Sequence, residues 1–265
     1  MAAITPIPSA TVTLVRDAAG GLEVLMMQRN FNSGFVPGAY VFPGGALDDE
    51  DAAAHALCAG LTDVEASRAL GIAQGGLAYW AAAIRESFEE AGLLVAYEAQ
   101  GRIVALDQPD VAERFRQHRH ALNSGERNML EILRAEKLML AADQLVYFGH
   151  WITPVSAPRR YDTRFFAAVA PPAQEPLHDN FETISHVWVR PAEALERHRN
   201  DDFKMRFPTA RTLEEFAAYA TVDALMKAMR AKRNIIVALP HIRTDGAHLL
   251  PGEPGYGEQQ GQWKI

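Results

Sequence analysis

The chain has 265 residues, of which 48% are hydrophobic and 22% charged, and its formal net charge is −7. This length accommodates one large domain or two small ones with a buried core. The acidic balance argues against nonspecific nucleic-acid binding, so a polyanionic substrate needs local positive charge from a metal ion or clustered arginines. The single cysteine, Cys58, excludes an internal disulfide and a zinc–cysteine cluster.

The sequence shows no targeting or membrane-spanning signal. No Lys or Arg precedes Arg16, which argues against a secretory or mitochondrial presequence. No apolar run reaches the roughly 18 residues that a membrane-spanning helix needs. We therefore expect a cytoplasmic protein that has neither a membrane nor a nucleic-acid partner.

The first quarter of the chain predicts a hairpin and a structured loop. Residues 10–16 and 23–29 have the composition of strands, and residues 17–21 between them form a turn. The segment 31–51 is rich in Gly, Pro and Asn, which indicates a loop with short extended pieces.

Helical patterns follow. Short helices are predicted over 50–58 and 62–70, and a longer one over Leu77–Ala91, which Gly92 ends. A strand is predicted at 93–97.

The second half of the chain mixes strands and helices. Residues 107–145 are predicted to be helical, because Pro109 suits a helix start and apolar residues recur at helical spacing. The remaining predicted elements are strands at about 147–154, 164–170 and 184–190 and helices over 191–199 and 209–231. A short apolar strand begins at Ile235, and we expect 241–265 to be a peripheral tail. Because regular βαβ units are absent, an α+β sandwich is favoured.

The segment 85–92 carries the residues that indicate chemistry. On a helix, Glu86, Glu89 and Glu90 share one face, where three carboxylates repel one another. A divalent cation removes this conflict, since hard carboxylate oxygens suit Mg²⁺ or Mn²⁺. Arg85 lies four residues before Glu89 and can orient that carboxylate. The alternative is a solvated helix face without function.

This segment, Arg-Glu-x-x-Glu-Glu-x-Gly, resembles the second half of the Nudix box. The family pattern is Gly, five residues, Glu, seven residues, then Arg-Glu-aliphatic-x-Glu-Glu-x-Gly-aliphatic, and Gly45 fills its leading glycine. The resemblance implies an α+β fold, namely a Nudix α/β/α sandwich with a mixed sheet. It implies a single Nudix hydrolase domain over 1–240, with helical insertions at about 46–75 and 107–145.

The box departs from the pattern in three ways. Asp51 stands where the pattern has Glu, and Ser87 replaces an aliphatic residue. Arg85 lies 34 positions beyond Asp51 instead of 8, so 26 extra residues interrupt the box. One Nudix branch, the peroxisomal coenzyme A diphosphatase type, is interrupted at the same place. Further segments that resemble this branch are 24–29, 34–38, 41–45, 151–154 and 158–166.

The resemblance implies metal-dependent hydrolysis of a diphosphate bond in a nucleoside diphosphate derivative, with coenzyme A or acyl-coenzyme A as the favoured substrate. It implies Mg²⁺ or Mn²⁺ as the cofactor and, as metal ligands, Glu86, Glu89, Glu90 and Gly45. The catalytic candidates are Glu86, Glu89 and Arg85. The general base stays open among Glu86, Glu89 and a downstream acid, for which Glu182 is the candidate; a solvated turn residue is the alternative there.

Four arginines are candidates for substrate binding, because guanidinium forks match phosphate oxygens. They are Arg29, Arg159, Arg160 and Arg164. For the last three, the alternative is ion pairing with Asp162 and neighbouring acids.

Two other functions stay open. The same chemistry could act on ADP-ribose, dinucleoside polyphosphates or nucleotide sugars, because the box recognises the diphosphate and its metal rather than the rest of the molecule. A non-catalytic Nudix-fold nucleotide sensor is the alternative of another class, against which the intact glutamates argue. In each case the partner is a small-molecule nucleotide, and the helical insertions could form a substrate lid or a homodimer surface.

Overall fold

The computed structural model describes residues 4–32, 36–179 and 182–256. Its strands are β1 (Ile7–Ala18), β2 (Gly21–Arg29), β3 (Tyr40–Val41), β4 (Gly44–Ala46), β5 (Cys58–Ala59), β6 (Ala96–Tyr97), β7 (Met139–Ala141), β8 (Val146–Ile152), β9 (Tyr161–Val169), β10 (Thr183–Val189), β11 (Val237–Ala238), β12 (His241–Ile242) and β13 (His248–Leu249). Its α-helices are α1 (Asp49–Ala53), α2 (Asp63–Leu70), α3 (Leu77–Ala91), α4 (Pro109–Asn123), α5 (Met129–Glu136), α6 (Pro191–Arg199), α7 (Phe207–Phe216) and α8 (Val222–Ala231). Short 3₁₀ turns occupy Ala54–Leu57 and Ala142–Gln144.

A mixed sheet forms the centre of the molecule, in the order β10-β2-β1-β9-β8-β11. Strand β1 pairs with β9 in parallel and with β2 and β4 antiparallel, while β3 adds to β2. The short strands β3 and β4 therefore bring the Gly- and Pro-rich segment against the centre of the sheet.

Helices cover both faces of this sheet. On one face, called the α3 face, Ala10, Val12 and Leu14 of β1 pack with α3. On the other, called the α7 face, Val15 of β1 and Phe165 of β9 pack with α6, α7 and α8. Burying a large apolar side chain on either face stabilises the fold by about 1.5–3 kcal/mol. The expected α/β/α sandwich with a mixed sheet is confirmed.

The helix that carries the glutamates has the predicted bounds. Gly92 ends it with φ +70°, a left-handed conformation that glycine adopts without steric cost, and its amide donates to the Phe88 carbonyl at 3.0 Å. The buried Ser87 hydroxyl donates to the Leu93 carbonyl at 2.8 Å. Ser87, which departs from the family pattern, thus links the end of α3 to the following segment by a hydrogen bond.

The two inserted segments extend the core on the α3 face. They contribute α1, α2, α4 and α5 and the strands β5 and β7, which form a small sheet with β6 in the order β5-β7-β6. Apolar residues from both segments, including Ala66, Phe115 and Ile132, belong to the same buried cluster as α3.

Several element predictions were wrong in their bounds. The helical prediction over 107–145 fails at its end, because Lys137 adopts φ +56° and β7 then pairs with β5 and β6. The helix predicted over 209–231 is two helices, since α7 ends at Phe216 and Thr221 caps α8. The strand at 93–97 contracts to Ala96–Tyr97. Pro191 does open α6, as predicted.

The described part of the chain contains no helix with the length and apolarity needed to cross a membrane. Within the predicted tail, His241 and Ile242 are buried, while residues 257–265 lie outside the described residues.

Candidate active site

A cavity of about 1040 Å³ lies between the α7 face of the sheet and the start of α7. Its floor is formed by alternate side chains of β1 and β9, among them Ser9, Thr11 and Thr163. The second half of α3 borders it near β4. The cavity therefore brings the glutamate-bearing half of α3 next to a surface that distant parts of the chain build.

All three glutamates predicted from the helix line this cavity. The Gly44 amide donates to Glu90 Oε2 at 3.2 Å, which fixes α3 to β4. Gly45 lies so close to Glu86 that a Cβ atom placed on it would be 2.3 Å from Glu86 Oε1. Only glycine permits this approach of the backbone to the carboxylate.

The carboxylates are buried together, and their acidities reflect this. Burial raises the pKa of Glu86 to about 7, although the Arg85 charge opposes the rise. Burial raises the pKa of Glu90 well above its ordinary value, and the charges of Glu86 and Glu182 raise it further. Burial also raises the pKa of Glu89, against the effect of Arg85. The site thus holds more negative charge than its neighbours compensate.

Arg85 connects the glutamates to Asp51. Its guanidinium binds Asp51 in a bidentate ion pair, with Nε–Oδ1 at 3.0 Å and Nη2–Oδ2 at 2.9 Å. Its Nη1 donates to Glu86 Oε1 and Glu89 Oε2, both at 2.9 Å. Burial lowers the pKa of Arg85, but the hydrogen bonds to Asp51 and the charges of the glutamates outweigh it and raise the pKa.

The 26 extra residues therefore do not separate the two halves of the box in space. Asp51 belongs to α1 and Arg85 to α3, and the intervening chain forms α2 and β5 before it returns. Asp51 is 3% exposed, so the pair is shielded from water. Asp51 stands against the arginine despite the interruption.

The donor set of this site fits a hard divalent cation. Within the ranges that the structure describes, no three His, Cys, Asp or Glu side chains already converge on one metal position, and Glu89 is turned to Arg85. Mg²⁺, however, commonly uses one or two carboxylates together with waters and substrate phosphates. Glu86 and Glu90, with the backbone of Gly45 against them, supply such hard oxygen donors.

Two of the four candidate arginines line the cavity, Arg29 and Arg159. The Arg29 charge lowers the pKa of Glu90, which places it beside the acids. The Arg159 guanidinium lies 5.2 Å above the Tyr161 ring.

The structure does not bring Arg160 and Arg164 to the cavity. Arg160 is buried and donates to the carbonyls of Thr153 and Ile4 at 3.0 and 2.7 Å. Arg164 is buried against His150 and Asp162. Successive side chains of a strand point to opposite faces, so Tyr161 and Thr163 face the cavity and Arg164 does not.

Glu182, which immediately precedes β10, lines the cavity. The pairing of Thr183 with Arg29 holds this part of the chain beside β2, and the Asn30 amide donates to the Glu182 carbonyl at 2.9 Å. Its charge raises the pKa of Glu90.

Several lining residues were not predicted as site residues. They are Trp151 on β8, Arg206 and Phe207 at the start of α7, and His248 on β13. They lie more than 50 positions from the glutamate helix, and of the four only Trp151 falls in a segment that resembles the family, so the tertiary fold brings them together. Arg206 precedes α7, and Phe207 begins it with Pro208 in the first turn, a pattern that marks a helix start but not a site.

A sandwich of this topology, with a glutamate-bearing helix beside a glycine loop, defines a Nudix hydrolase. The solved structure of a Nudix hydrolase from Alicyclobacillus acidocaldarius is similar, with a TM-score of 0.71 and 26% identity over 85% of this chain and 97% of that chain. Residues 62–214 match the family model described as the NUDT19 Nudix domain, and the chain belongs to this family.

Two curated relatives are similar over most of the chain. The Homo sapiens protein named acyl-coenzyme A diphosphatase NUDT19 is 29% identical over 283 residues, which covers 91% of this chain and 74% of the relative. The Xenopus laevis protein of the same name is 26% identical, over 89% of this chain and 72% of the relative.

Proposed function

We propose that this protein hydrolyses the diphosphate linkage of coenzyme A or acyl-coenzyme A, with Mg²⁺ or Mn²⁺ as its cofactor. The observation that carries the proposal is the ion pair between Asp51 and Arg85, which joins the two halves of the box across the insertion. The glutamates that it positions open onto a cavity large enough for a nucleotide. The names of the relatives support the same substrate class.

In the reaction, the oxygen of a water molecule bonds to one phosphorus while the bridging P–O bond breaks. The products are 3′,5′-ADP and a phosphopantetheine or its acyl derivative. A bound divalent cation supplies charge neutralisation and a more acidic water. Glu86 and Glu90, with the Gly45 carbonyl, are the groups that would hold it.

The protein's own side chains do the remaining work. Arg85 fixes the carboxylates of Glu86 and Glu89 through its hydrogen bonds. Arg29, beside the acids, is placed to bind a diphosphate oxygen. The general base that takes the proton of the attacking water is one of Glu86, Glu89 and Glu182.

A substrate panel tests the proposal. Purified protein with Mg²⁺ or Mn²⁺ is given coenzyme A, an acyl-coenzyme A, ADP-ribose and a dinucleoside polyphosphate, and the products are identified. We expect 3′,5′-ADP from the first two. Turnover of only ADP-ribose or the dinucleoside polyphosphate would show that the protein acts on that substrate class instead of coenzyme A. Tight nucleotide binding without any turnover would make the protein a sensor.

A matched pair of variants tests the residues. Glu90→Gln should lower kcat at least about 100-fold, because even outer-shell partners of metal ligands are worth 10–100-fold. Glu126→Gln, an exposed glutamate, should leave kcat unchanged. Equal kcat values for the two variants would show that Glu90 has no role in catalysis.

A further inference from the structure

The cavity extends far beyond the glutamates. Its floor follows one row of paired residues across four strands, from Ala46 on β4 to Ser9 on β1, Thr163 on β9 and Trp151 on β8. Three strand spacings of roughly 4.8 Å separate the ends of this row by about 14 Å. A diphosphate bound at the glutamates leaves that length of cavity for the rest of the substrate.

The charges of the cavity differ between its two ends. The acid end is defined by Glu86, Glu89, Glu90 and Glu182. The opposite end, called the far end, carries two cationic side chains, Arg159 beside Tyr161 and Arg206 beside His248. Arg159 lies over Tyr161, which continues the row of β9 side chains in the cavity floor. Arg206 immediately precedes α7 and is half-buried.

Aromatic side chains form the wall of the far end. The Phe207 ring meets Trp151 edge-on at 5.9 Å and stacks on the His248 ring at 4.9 Å with an interplanar angle of 24°. His248 is held by the pairing of β13 with the buried strand β12. Burial and the nearby Arg206 charge lower the pKa of His248, so its surroundings favour the neutral ring beside the guanidinium.

We propose that the far end is a second phosphate subsite, in which Arg159 and Arg206 bind the ribose 3′-phosphate of the substrate and the aromatic wall contacts its base. A phosphate monoester matches the guanidinium forks, and the flat aromatic face of a base matches the wall of Trp151, Phe207 and His248. The inference rests on the proposed function and names the part of the substrate that is recognised away from the cleaved bond.

Binding of the nucleotide product tests the subsite without any turnover. Calorimetry compares 3′,5′-ADP with 5′-AMP, which differ only in the 3′-phosphate. The wild type should bind 3′,5′-ADP at least about tenfold more tightly, as expected for charge-assisted hydrogen bonds. Arg159→Gln and Arg206→Gln should each weaken 3′,5′-ADP about tenfold or more and change 5′-AMP less than about twofold.

The control is Arg211→Gln, which removes an exposed arginine of α7 that pairs with Glu214 and should change neither affinity. Arg159 is exposed at the rim, so its variant is expected to fold normally even if Arg206→Gln does not. A wild type that binds both nucleotides equally, or arginine variants that weaken both equally, would overturn the subsite.

A kinetic comparison separates this inference from the proposed function. If the subsite is correct, the wild type prefers coenzyme A to 3′-dephospho-coenzyme A in kcat/KM, and Arg159→Gln removes the preference. If neither compound is hydrolysed, the proposed function fails, while the nucleotide affinities still decide on the subsite. If the far end instead holds the pantetheine arm, Arg159→Gln lowers kcat/KM equally for both compounds, and the inference is wrong.

Discussion

Asp51 and Arg85 form the contact that joins the two parts of the interrupted box. Both side chains are buried, and the pair is bidentate. Removing one partner of a buried ion pair leaves an uncompensated charge, which typically costs 3–5 kcal/mol. The spacing from Gly45 predicts that Asp51 fills the acidic position of the box. The contact with Arg85 depends on how the insertion folds and could not be predicted from spacing.

We predict that Asp51→Asn lowers the free energy of unfolding by about 3 kcal/mol. It should also lower kcat, because Arg85 would no longer be held against Glu86 and Glu89. Urea denaturation and steady-state kinetics measure the two effects. Asp49→Asn, in the same first turn of α1 but exposed, is the control. Unchanged stability of Asp51→Asn would show that the pair contributes nothing net.

Gly45 allows a second prediction at this scale. In Gly45→Ala the new methyl group would meet the Glu86 carboxylate, so Glu86 must move and kcat should fall about 100-fold, as when catalytic geometry is displaced by about 1 Å. Gly20→Ala is the control, since its Cβ would meet only the exposed Arg190 side chain, at an ordinary 3.6 Å. Wild-type kinetics in Gly45→Ala would contradict the close approach.

At the scale of elements, α4 fixes the end of α3. The buried Arg119 donates from Nε to the Glu89 carbonyl at 2.9 Å and from Nη2 to the Glu90 carbonyl at 2.7 Å. The last carbonyls of a helix lack partners within it, and a cation there also favours the helix dipole. The inserted segment thus holds the backbone of two of the three glutamates.

Arg119→Gln should therefore lower the free energy of unfolding by about 1.5–3 kcal/mol, the range for hydrogen bonds of charged groups. It should also raise the Mg²⁺ concentration needed for half-maximal activity more than it raises the substrate KM. Arg116→Gln, on the exposed side of the same helix, is the control. A loss of stability with an unaltered Mg²⁺ requirement would show that Arg119 stabilises the fold but does not position the metal ligands.

The sequence predicts elements well where a local signal ends them. Gly92 ends α3 and Pro191 opens α6 as expected, because both residues act through their own backbone geometry. The prediction for 137–145 fails because pairing with β5 and β6 overrides a helical pattern. Arg164 could not be assigned to a face, since one residue of strand register decides the side.

At the scale of the whole molecule, the acid end opposes folding. Burial and mutual repulsion raise the pKa of Glu86 and Glu90, so the protein without a cation holds these charges at a cost in free energy. Function and stability are therefore in conflict at this site, as is common for active sites. The two hydrophobic faces of the sheet supply the compensating stability.

This conflict predicts opposite effects of one substitution with and without metal. In the presence of a chelator, Glu90→Gln should melt at a higher temperature than the wild type, because a buried charge is removed while the Gly44 amide keeps an acceptor. At a Mn²⁺ concentration of about 100 times its Kd, the wild type should gain about 2.7 kcal/mol, or roughly 5–10 °C, and the variant much less. Thermal denaturation measures both, with Glu126→Gln as the control. An equal rise of the melting temperature in the wild type and Glu90→Gln would mean that the cation does not bind at Glu90.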